Sequence, residues 1–145
     1  MVVAVAAVVV LLAGSSAGAA DLALTDPAGT AVDWPEWIRA NGPAAVLVWA
    51  SWAPGAGAAI DGLAGLGEAA RSQGLTLVVV DVHEELETAR RGLDRTGVPW
   101  LHDRHGSILK EYRLIRLPIL VAIDQSGRAF ATIEPTADSL RRLPR

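Results

Sequence analysis

Two continuous apolar runs, separated by a segment of helical periodicity, constrain the fold of this chain most. Residues 44–50 (AAVLVWA) and 75–81 (LTLVVVD) are rich in apolar and β-branched side chains. Such runs are typical of strands that are buried on both faces. Between them, apolar residues recur at helical spacing up to about residue 73, which predicts a helix long enough for a right-handed parallel crossover. The chain is therefore expected to contain a β-α-β unit.

Shorter elements are predicted on both sides of this unit. Residues 22–24 and 30–32 flank the turn sequence Asp26-Pro27-Ala28-Gly29 and predict an N-terminal β-hairpin. Further helices are predicted over residues 34–40, 84–96, 107–113 (capped by Ser107) and 136–143, and strands over residues 119–124 and 128–133. Together these elements indicate an α/β domain with helices on both faces of its sheet.

The first twenty residues carry no charge and include an apolar run over residues 2–13, the length of a signal-peptide core. Small residues follow, and the first charge is Asp21. We expect cleavage after Ala19 or Ala20 and an exported, periplasmic or otherwise extracytoplasmic domain over residues 21–145. Because the usual positively charged start is missing, an uncleaved membrane anchor over residues 1–20, a start further upstream and a cytoplasmic chain stay open as alternatives.

The composition excludes several classes of protein. The chain has 145 residues, half of them apolar, and no cysteine, so one core must form without disulfides. No thiolate is available for catalysis, a metal site or an iron–sulfur cluster. The net charge is −3 and no basic run occurs, which argues against a nucleic-acid partner. We expect no cofactor and no metal.

An ordered set of motifs resembles the TlpA/ResA-like thiol–disulfide oxidoreductases, a family of the thioredoxin-like superfamily related to the AhpC/TSA redoxins. Residues 46–56 (VLVWASWAPGA) stand in the place of the family's strand and active-site turn, F-W-A-x-W-C-x-x-C. Downstream, the family's order and spacing are followed by Val98-Pro99, Asp103, Gly106, Tyr112, Leu117-Pro118 and residues 123–128 (IDQSGR). The resemblance covers about residues 22–133 and implies a thioredoxin fold, with a central mixed β-sheet flanked by helices and the N-terminal hairpin as an extension.

The resemblance also shows where the chain departs from the family's chemistry. Ala53 and Ala56 occupy the two cysteine positions, and a methyl group can neither attack a disulfide nor leave from one. Ala59 stands where many members carry a glutamate that handles protons, and Asp61 stands at a position that is commonly proline. The redox residues are missing as a set, so we expect no catalytic residue and no enzymatic thiol–disulfide exchange.

A substrate groove does not depend on sulfur. By the resemblance, Pro118 is the family's cis-proline and faces the Trp52 turn, although a trans proline that opens a strand is the alternative. Trp52, Pro54, Leu117, Pro118 and Trp100 are then expected to form an apolar patch that holds an extended peptide by strand addition. The alternative is that these side chains only pack against one another.

Three function classes follow from these expectations. The first is a non-catalytic module that binds a polypeptide or protein partner, in the manner of a chaperone. The second is a TlpA-like thiol–disulfide oxidoreductase in envelope redox homeostasis, which the family implies and the missing cysteines oppose. The third is an accessory subunit of an envelope complex.

The other polar candidates are interpreted as structural. Ser51 has no histidine placed to activate it and is expected to bond within its turn. His102, Asp103 and His105 are metal-type residues, but without a third nearby ligand they favour a solvated loop. His83 and the glutamates after it stand at a predicted helix start, where acidic residues suit the helix dipole.

Overall fold

The computed structural model describes residues 22–144, whose strands form one mixed β-sheet. The strands are β1 (Leu24–Thr25), β2 (Ala31–Val32), β3 (Ala44–Trp49), β4 (Thr76–Val82), β5 (Trp100–Asp103), β6 (Ile119–Ile123) and β7 (Ala129–Ile133). Their order across the sheet is β2-β1-β5-β4-β3-β6-β7. Strands β3, β4 and β5 are parallel, whereas β1, β6 and β7 pair with their neighbours in antiparallel fashion.

Helices cover both faces of the sheet. They are α1 (Trp34–Asn41), α2 (Ala56–Asp61), α3 (Leu63–Ser72), α4 (Leu86–Leu93), α5 (Ser107–Glu111) and α6 (Ala137–Arg141). Helices α2, α3, α4 and α6 contribute to one apolar core, and α1 and α5 contribute to the core on the opposite face. The predicted α/β architecture with its N-terminal hairpin is confirmed.

The central β-α-β unit forms as predicted. Strands β3 and β4 are parallel in a register that runs from Ala44 opposite Thr76 to Trp49 opposite Asp81. All six residues of β3 are buried, because alternate side chains enter the two cores. The burial of each large aliphatic side chain stabilises the fold by about 1.5–3 kcal/mol.

The single helix predicted between these strands is two helices. Helix α2 ends at Asp61, Gly62 separates the two, and α3 begins at Leu63. Each glycine within a helix lowers the helix's stability by about 1 kcal/mol relative to alanine. A continuous helix over this glycine-rich segment is therefore less stable than one without glycines. Ala56 and Ala59 of α2 and Leu63 and Leu66 of α3 enter the same core.

Strand β5 was not predicted. It lies between β1 and β4, and all four of its residues are buried, including His102 and Asp103. The ring Nε2–H of His102 donates to the carbonyl of Glu84 at 2.6 Å. Because the partner lies 18 residues away, sequence periodicity could not reveal that this polar segment is satisfied inside the sheet.

The expected cap of α5 was wrong. Ser107 is the first helical residue and Gly106 is the N-cap residue, and the hydrogen bonds to the first turn come from the carboxylate of Asp103. Its Oδ1 accepts from the Ser107 N–H at 2.9 Å, and its Oδ2 accepts from the Ile108 N–H at 2.8 Å. The acid four residues upstream therefore satisfies the free N–H groups of the first turn.

The leader predicted over residues 1–20 lies outside the described residues. Among residues 22–144, no helix combines the length and the apolar character needed to cross a bilayer.

Candidate functional site

The candidate site lies where β3 ends and β6 begins. These strands are antiparallel neighbours, and Val48 is paired with Ile119. The residues that follow β3 and the residues that precede β6 are therefore neighbours at the same end of the sheet. This pairing places the turn that carries Trp52 beside Leu117 and Pro118.

The turn after β3 is built from two successive backbone turns. The N–H of Ala53 donates to the carbonyl of Ala50, and the N–H of Ala56 donates to the carbonyl of Ala53, both at 3.1 Å. Gly55, just before α2, has φ +80°, a conformation that residues with a Cβ adopt at a cost. The turn is thus closed by its own backbone.

The two alanines at the family's cysteine positions are packing residues here. Ala53 is 6% exposed and Ala56 is 5% exposed, and they enter the cores on opposite faces of the sheet. The indole N–H of Trp49 donates to the carbonyl of Ala56 at 3.0 Å, which ties the start of α2 to β3. Neither position offers a nucleophile or an acid.

Two adjacent grooves lie beside this turn. Trp52, Pro54 and Leu117 line a groove of about 350 Å³, named here the Trp52 groove. Pro54, Leu117 and Pro118 line a second groove of about 370 Å³, named here the Pro118 groove. The structure therefore brings all four groove residues predicted from the sequence to one place.

The Trp52 groove has strongly exposed apolar side chains at its mouth. Trp52 is 58% exposed, and Ile115, which lines the same groove, is 98% exposed. Ile115 was missed from the sequence, because a single isoleucine among arginines and leucines (residues 113–117, RLIRL) carries no sign of exposure. Arg116 lines both grooves and forms an ion pair with Glu134, which also lines the Pro118 groove.

The segment before β6 presents its main chain to these grooves. The Leu117–Pro118 peptide bond is cis. Within residues 22–144, no hydrogen bond joins the backbone of residues 115–117 to another group. Exposed and unpaired backbone groups of this kind are able to pair with an added strand.

Trp100 does not belong to the patch, contrary to the expectation. It is 5% exposed and belongs to the core that α2, α3, α4 and α6 share. Its indole N–H donates to Oδ1 of Asp94 at 3.2 Å. Trp100 lies in β5, which is separated from β3 by β4, so it is not a neighbour of the Trp52 turn.

Ser51 has a partner that the sequence did not indicate. Its N–H donates to Oε1 of Glu84 at 2.5 Å, and its hydroxyl donates to Oε2 of the same residue. Close by, Asp81 at the end of β4 is fully buried. The pKa of Asp81 is raised to about 8, mainly by burial. A hydrogen bond to Glu84 and the charge of Glu84 raise it as well.

In the described part of the chain, no group of three or more His, Asp or Glu side chains is arranged so that it could hold a metal ion. His83 and His105 instead line a polar pocket with Glu84, Glu85 and Arg104. His83 has φ +57°, and its ring lies over Gly106, where an added Cβ would come within 2.4 Å of Nε2. The pocket is explained by this contact and by the Arg104–Glu85 ion pair.

Tyr112, one of the residues that carry the resemblance, has a structural role. Its hydroxyl accepts from the indole N–H of Trp34 at 3.0 Å and donates to the carbonyl of Gly127 at 2.8 Å. Burial raises the pKa of Tyr112. In the adjacent turn, the Ser126 hydroxyl bonded to Asp124 lowers the pKa of that carboxyl.

No protein-family model matches the chain. No curated protein matches it either. Solved structures, however, match its fold.

Among them is a thioredoxin from Wuchereria bancrofti, with 19% identity, 86% of this chain and 90% of that chain covered, and a TM-score of 0.61. StoA from Bacillus subtilis matches with 21% identity, 87% and 97% coverage and a TM-score of 0.62. A secreted Mycobacterium tuberculosis disulfide oxidoreductase homologous to E. coli DsbE matches with 19% identity, 75% and 79% coverage and a TM-score of 0.58. Identities this low establish the fold alone. This chain has the thioredoxin fold, as predicted.

Proposed function

We propose that this protein binds an extended polypeptide segment in the Trp52 and Pro118 grooves without chemical turnover. The observation that carries the proposal is that Trp52 and Ile115, both strongly exposed, line one groove. Large apolar side chains that are exposed together at a concave surface mark sites where a partner removes them from water. Binding buries them at a gain of about 25 cal/mol per Å² of apolar surface.

The main chain supplies the second part of the recognition. The backbone of residues 115–117 is free of hydrogen bonds among residues 22–144 and borders both grooves through Arg116 and Leu117. A peptide in extended conformation would pair with these groups and place alternate side chains toward Trp52. Main-chain pairing does not depend on the sequence of the peptide, so we expect the grooves to bind many different unfolded, apolar segments.

The chemistry at the turn supports binding without exchange. Thiol–disulfide exchange requires a thiolate, and the whole chain contains no cysteine. Ala53 and Ala56 are buried in the two cores and carry only methyl groups. What remains is non-covalent recognition, as in a chaperone-like module.

Export is the second part of the proposal. Its support is the uncharged apolar segment over residues 2–13 with small residues before Asp21, and the match to a fold neighbour described as secreted. A fusion of residues 1–30 to alkaline phosphatase tests it. Phosphatase activity in intact cells is the expected result, because the enzyme needs disulfides that form only after export. A fusion that accumulates in the cells without activity would contradict it.

Binding is tested with dye-labelled extended peptides and fluorescence anisotropy. Trp52→Ala is expected to raise the dissociation constant at least about tenfold, which is equivalent to a loss of about 1.4 kcal/mol of binding free energy. Phe130→Ala is the matched control, because Phe130 is also an exposed aromatic residue, at 49%, but lies on β7 outside both grooves. Equal affinity of wild type and Trp52→Ala, or equal losses in the two variants, would refute the groove as the binding site.

A further inference from the structure

Asp81 is a buried acid without a donor. Its side chain is fully buried, and among residues 22–144 no N–H or O–H group donates to either carboxyl oxygen. Native proteins satisfy nearly all of their buried polar atoms, so an orphaned carboxyl requires an explanation. An ionised carboxylate in this position would lack both solvent and hydrogen bonds, which is strongly unfavourable.

The carboxyl that acts on Asp81 is that of Glu84, three residues further along the chain. Two carboxylates are both acceptors, so they bond to each other only when one of them carries a proton. A proton on Asp81 makes it a donor to Glu84 and removes the buried charge. The pair is therefore stable with one shared proton and is repulsive without it.

Among residues 22–144, no Lys, Arg or His side chain forms an ion pair with Asp81 or Glu84. On β3 the residue in register with Asp81 is Trp49, which has no charge, and on β5 it is His102. The Nε2–H of His102 is used by the carbonyl of Glu84. Arg90 of α4 and Arg104 form ion pairs with Glu87 and Glu85. The ring of His83, which lines the same pocket as Glu84, lies over Gly106.

Glu84 also holds the turn of the candidate site. Both of its carboxylate oxygens accept from Ser51, one from the N–H and one from the hydroxyl. Ser51 directly precedes the exposed Trp52. The chain Asp81–Glu84–Ser51 thus connects a buried acid in the sheet to the residue that forms the wall of the Trp52 groove.

We propose that the Asp81–Glu84 carboxyl pair is a protonation-controlled latch that holds the Ser51–Trp52 turn. With the proton present, Asp81 donates to Glu84, and Glu84 remains fixed under Ser51. When the proton is lost, two negative charges face each other, and the half-buried Glu84 side chain moves toward solvent. Ser51 then loses both of its acceptors, and the turn that carries Trp52 is released.

The pKa of Asp81 sets the pH at which this latch opens. Burial, the hydrogen bond to Glu84 and the charge of Glu84 all raise the pKa of Asp81, to about 8. The latch is therefore closed in neutral and acidic solution and opens above about pH 8. Its effect on peptide binding rests on the proposed function, whereas the movement of the turn does not.

The test follows the backbone amide of Ser51 and the indole of Trp52 by ¹H–¹⁵N NMR from pH 6 to pH 10. We expect both signals to shift together with a midpoint near pH 8, the Ser51 amide proton moving upfield as it loses its carboxylate acceptor. In Asp81→Asn the amide donates to Glu84 at every pH, so both inflections should disappear. Because asparagine has the same shape as aspartate, this variant is expected to fold.

Glu84→Gln is the second variant. It removes the opposing charge and keeps an acceptor for the Ser51 N–H, so the inflection should move to lower pH and the turn should stay in place. A Ser51 amide that does not respond between pH 6 and pH 10 in the wild type, or an inflection that persists in Asp81→Asn, would overturn the latch. Peptide binding that is absent at every pH, with the NMR transition intact, would refute the proposed function and leave the latch standing.

Discussion

Ser51 gives both of its hydrogen-bond donors to the carboxylate of Glu84, 33 residues further along the chain. One residue follows β3 and the other follows β4, two parallel strands whose carboxyl ends meet at one edge of the sheet. The contact therefore ties the Trp52 turn to the loop before α4. The turn that carries the exposed Trp52 is thus held by the side chain of Glu84.

The strength of this contact is measurable. A double-mutant cycle of Ser51→Ala and Glu84→Ala is expected to give a coupling free energy of about 1 kcal/mol or more, since hydrogen bonds to charged groups are stronger than neutral ones. The same cycle on the exposed Arg104–Glu85 ion pair should give less than about 0.5 kcal/mol. The free energy of unfolding in urea provides the values. Equal coupling in both cycles would mean that the Ser51 contact is an ordinary surface interaction.

Asp81 makes stability depend on pH. Its pKa is raised from 3.8 to about 8 in the folded state, so between these values the unfolded chain releases a proton that the folded chain keeps. Folding is thus weakened progressively as the pH rises from about 4 to about 8, and the penalty is constant above that range. The free energy of unfolding of the wild type should fall across this window.

Asp81→Asn removes this titration. The variant should be more stable than the wild type at pH 8 by more than about 1.4 kcal/mol, the equivalent of a single pKa unit, and the two should converge toward pH 4. Urea unfolding at pH 4, 6 and 8 checks both statements. A wild type whose stability rises from pH 4 to pH 8 as steeply as that of the variant would show that Asp81 is ionised in the folded state.

Gly106 and Gly74 form a matched pair for a steric prediction. Both have positive φ, at +70° and +74°, but an added Cβ at Gly106 meets His83 Nε2 at 2.4 Å, whereas at Gly74 it meets nothing within 4 Å. Gly74→Ala should cost about 1–2 kcal/mol for the left-handed backbone alone. Gly106→Ala should cost more, and the excess should disappear when His83→Ala is added. An excess that survives His83→Ala would place the clash elsewhere.

Restoring sulfur tests the chemistry of the turn. Wild-type protein is expected to show no insulin reduction, because it has no thiolate. The variant Ala53→Cys/Ala56→Cys should gain partial activity, and adding Ala59→Glu should increase it by about 10²-fold, the lower range for a positioned acid–base group. The single Ala53→Cys variant is the control for mixed-disulfide formation without resolution. Turnover by the wild type would refute the non-catalytic proposal.

The strands of the β-α-β unit could be predicted because each is a continuous apolar run of strand length. The resemblance carried by the ordered motifs also predicted that Trp52, Pro54, Leu117 and Pro118 lie close together, and in the structure they line two adjacent grooves. Local signals failed at β5, because His102 and Asp103 look like loop residues. The partner of His102 lies 18 residues away, and Asp103 bonds to the first turn of the helix that follows it. They also failed at Gly62, where a glycine-rich helical pattern did not reveal whether packing would hold one helix or two.

The sequence by itself determined that no thiol chemistry is possible, since the absence of an element from a composition needs no geometry. It also determined the apolar pattern from which a mixed α/β sheet follows. Only the tertiary structure decided which polar groups are buried and what they meet: Asp81 against Glu84, Glu84 against Ser51, and His102 against the Glu84 carbonyl. The physical reason is that periodicity reports which face of an element is apolar, whereas hydrogen bonds and the pKa of a carboxyl depend on atoms that the fold brings together from separate strands.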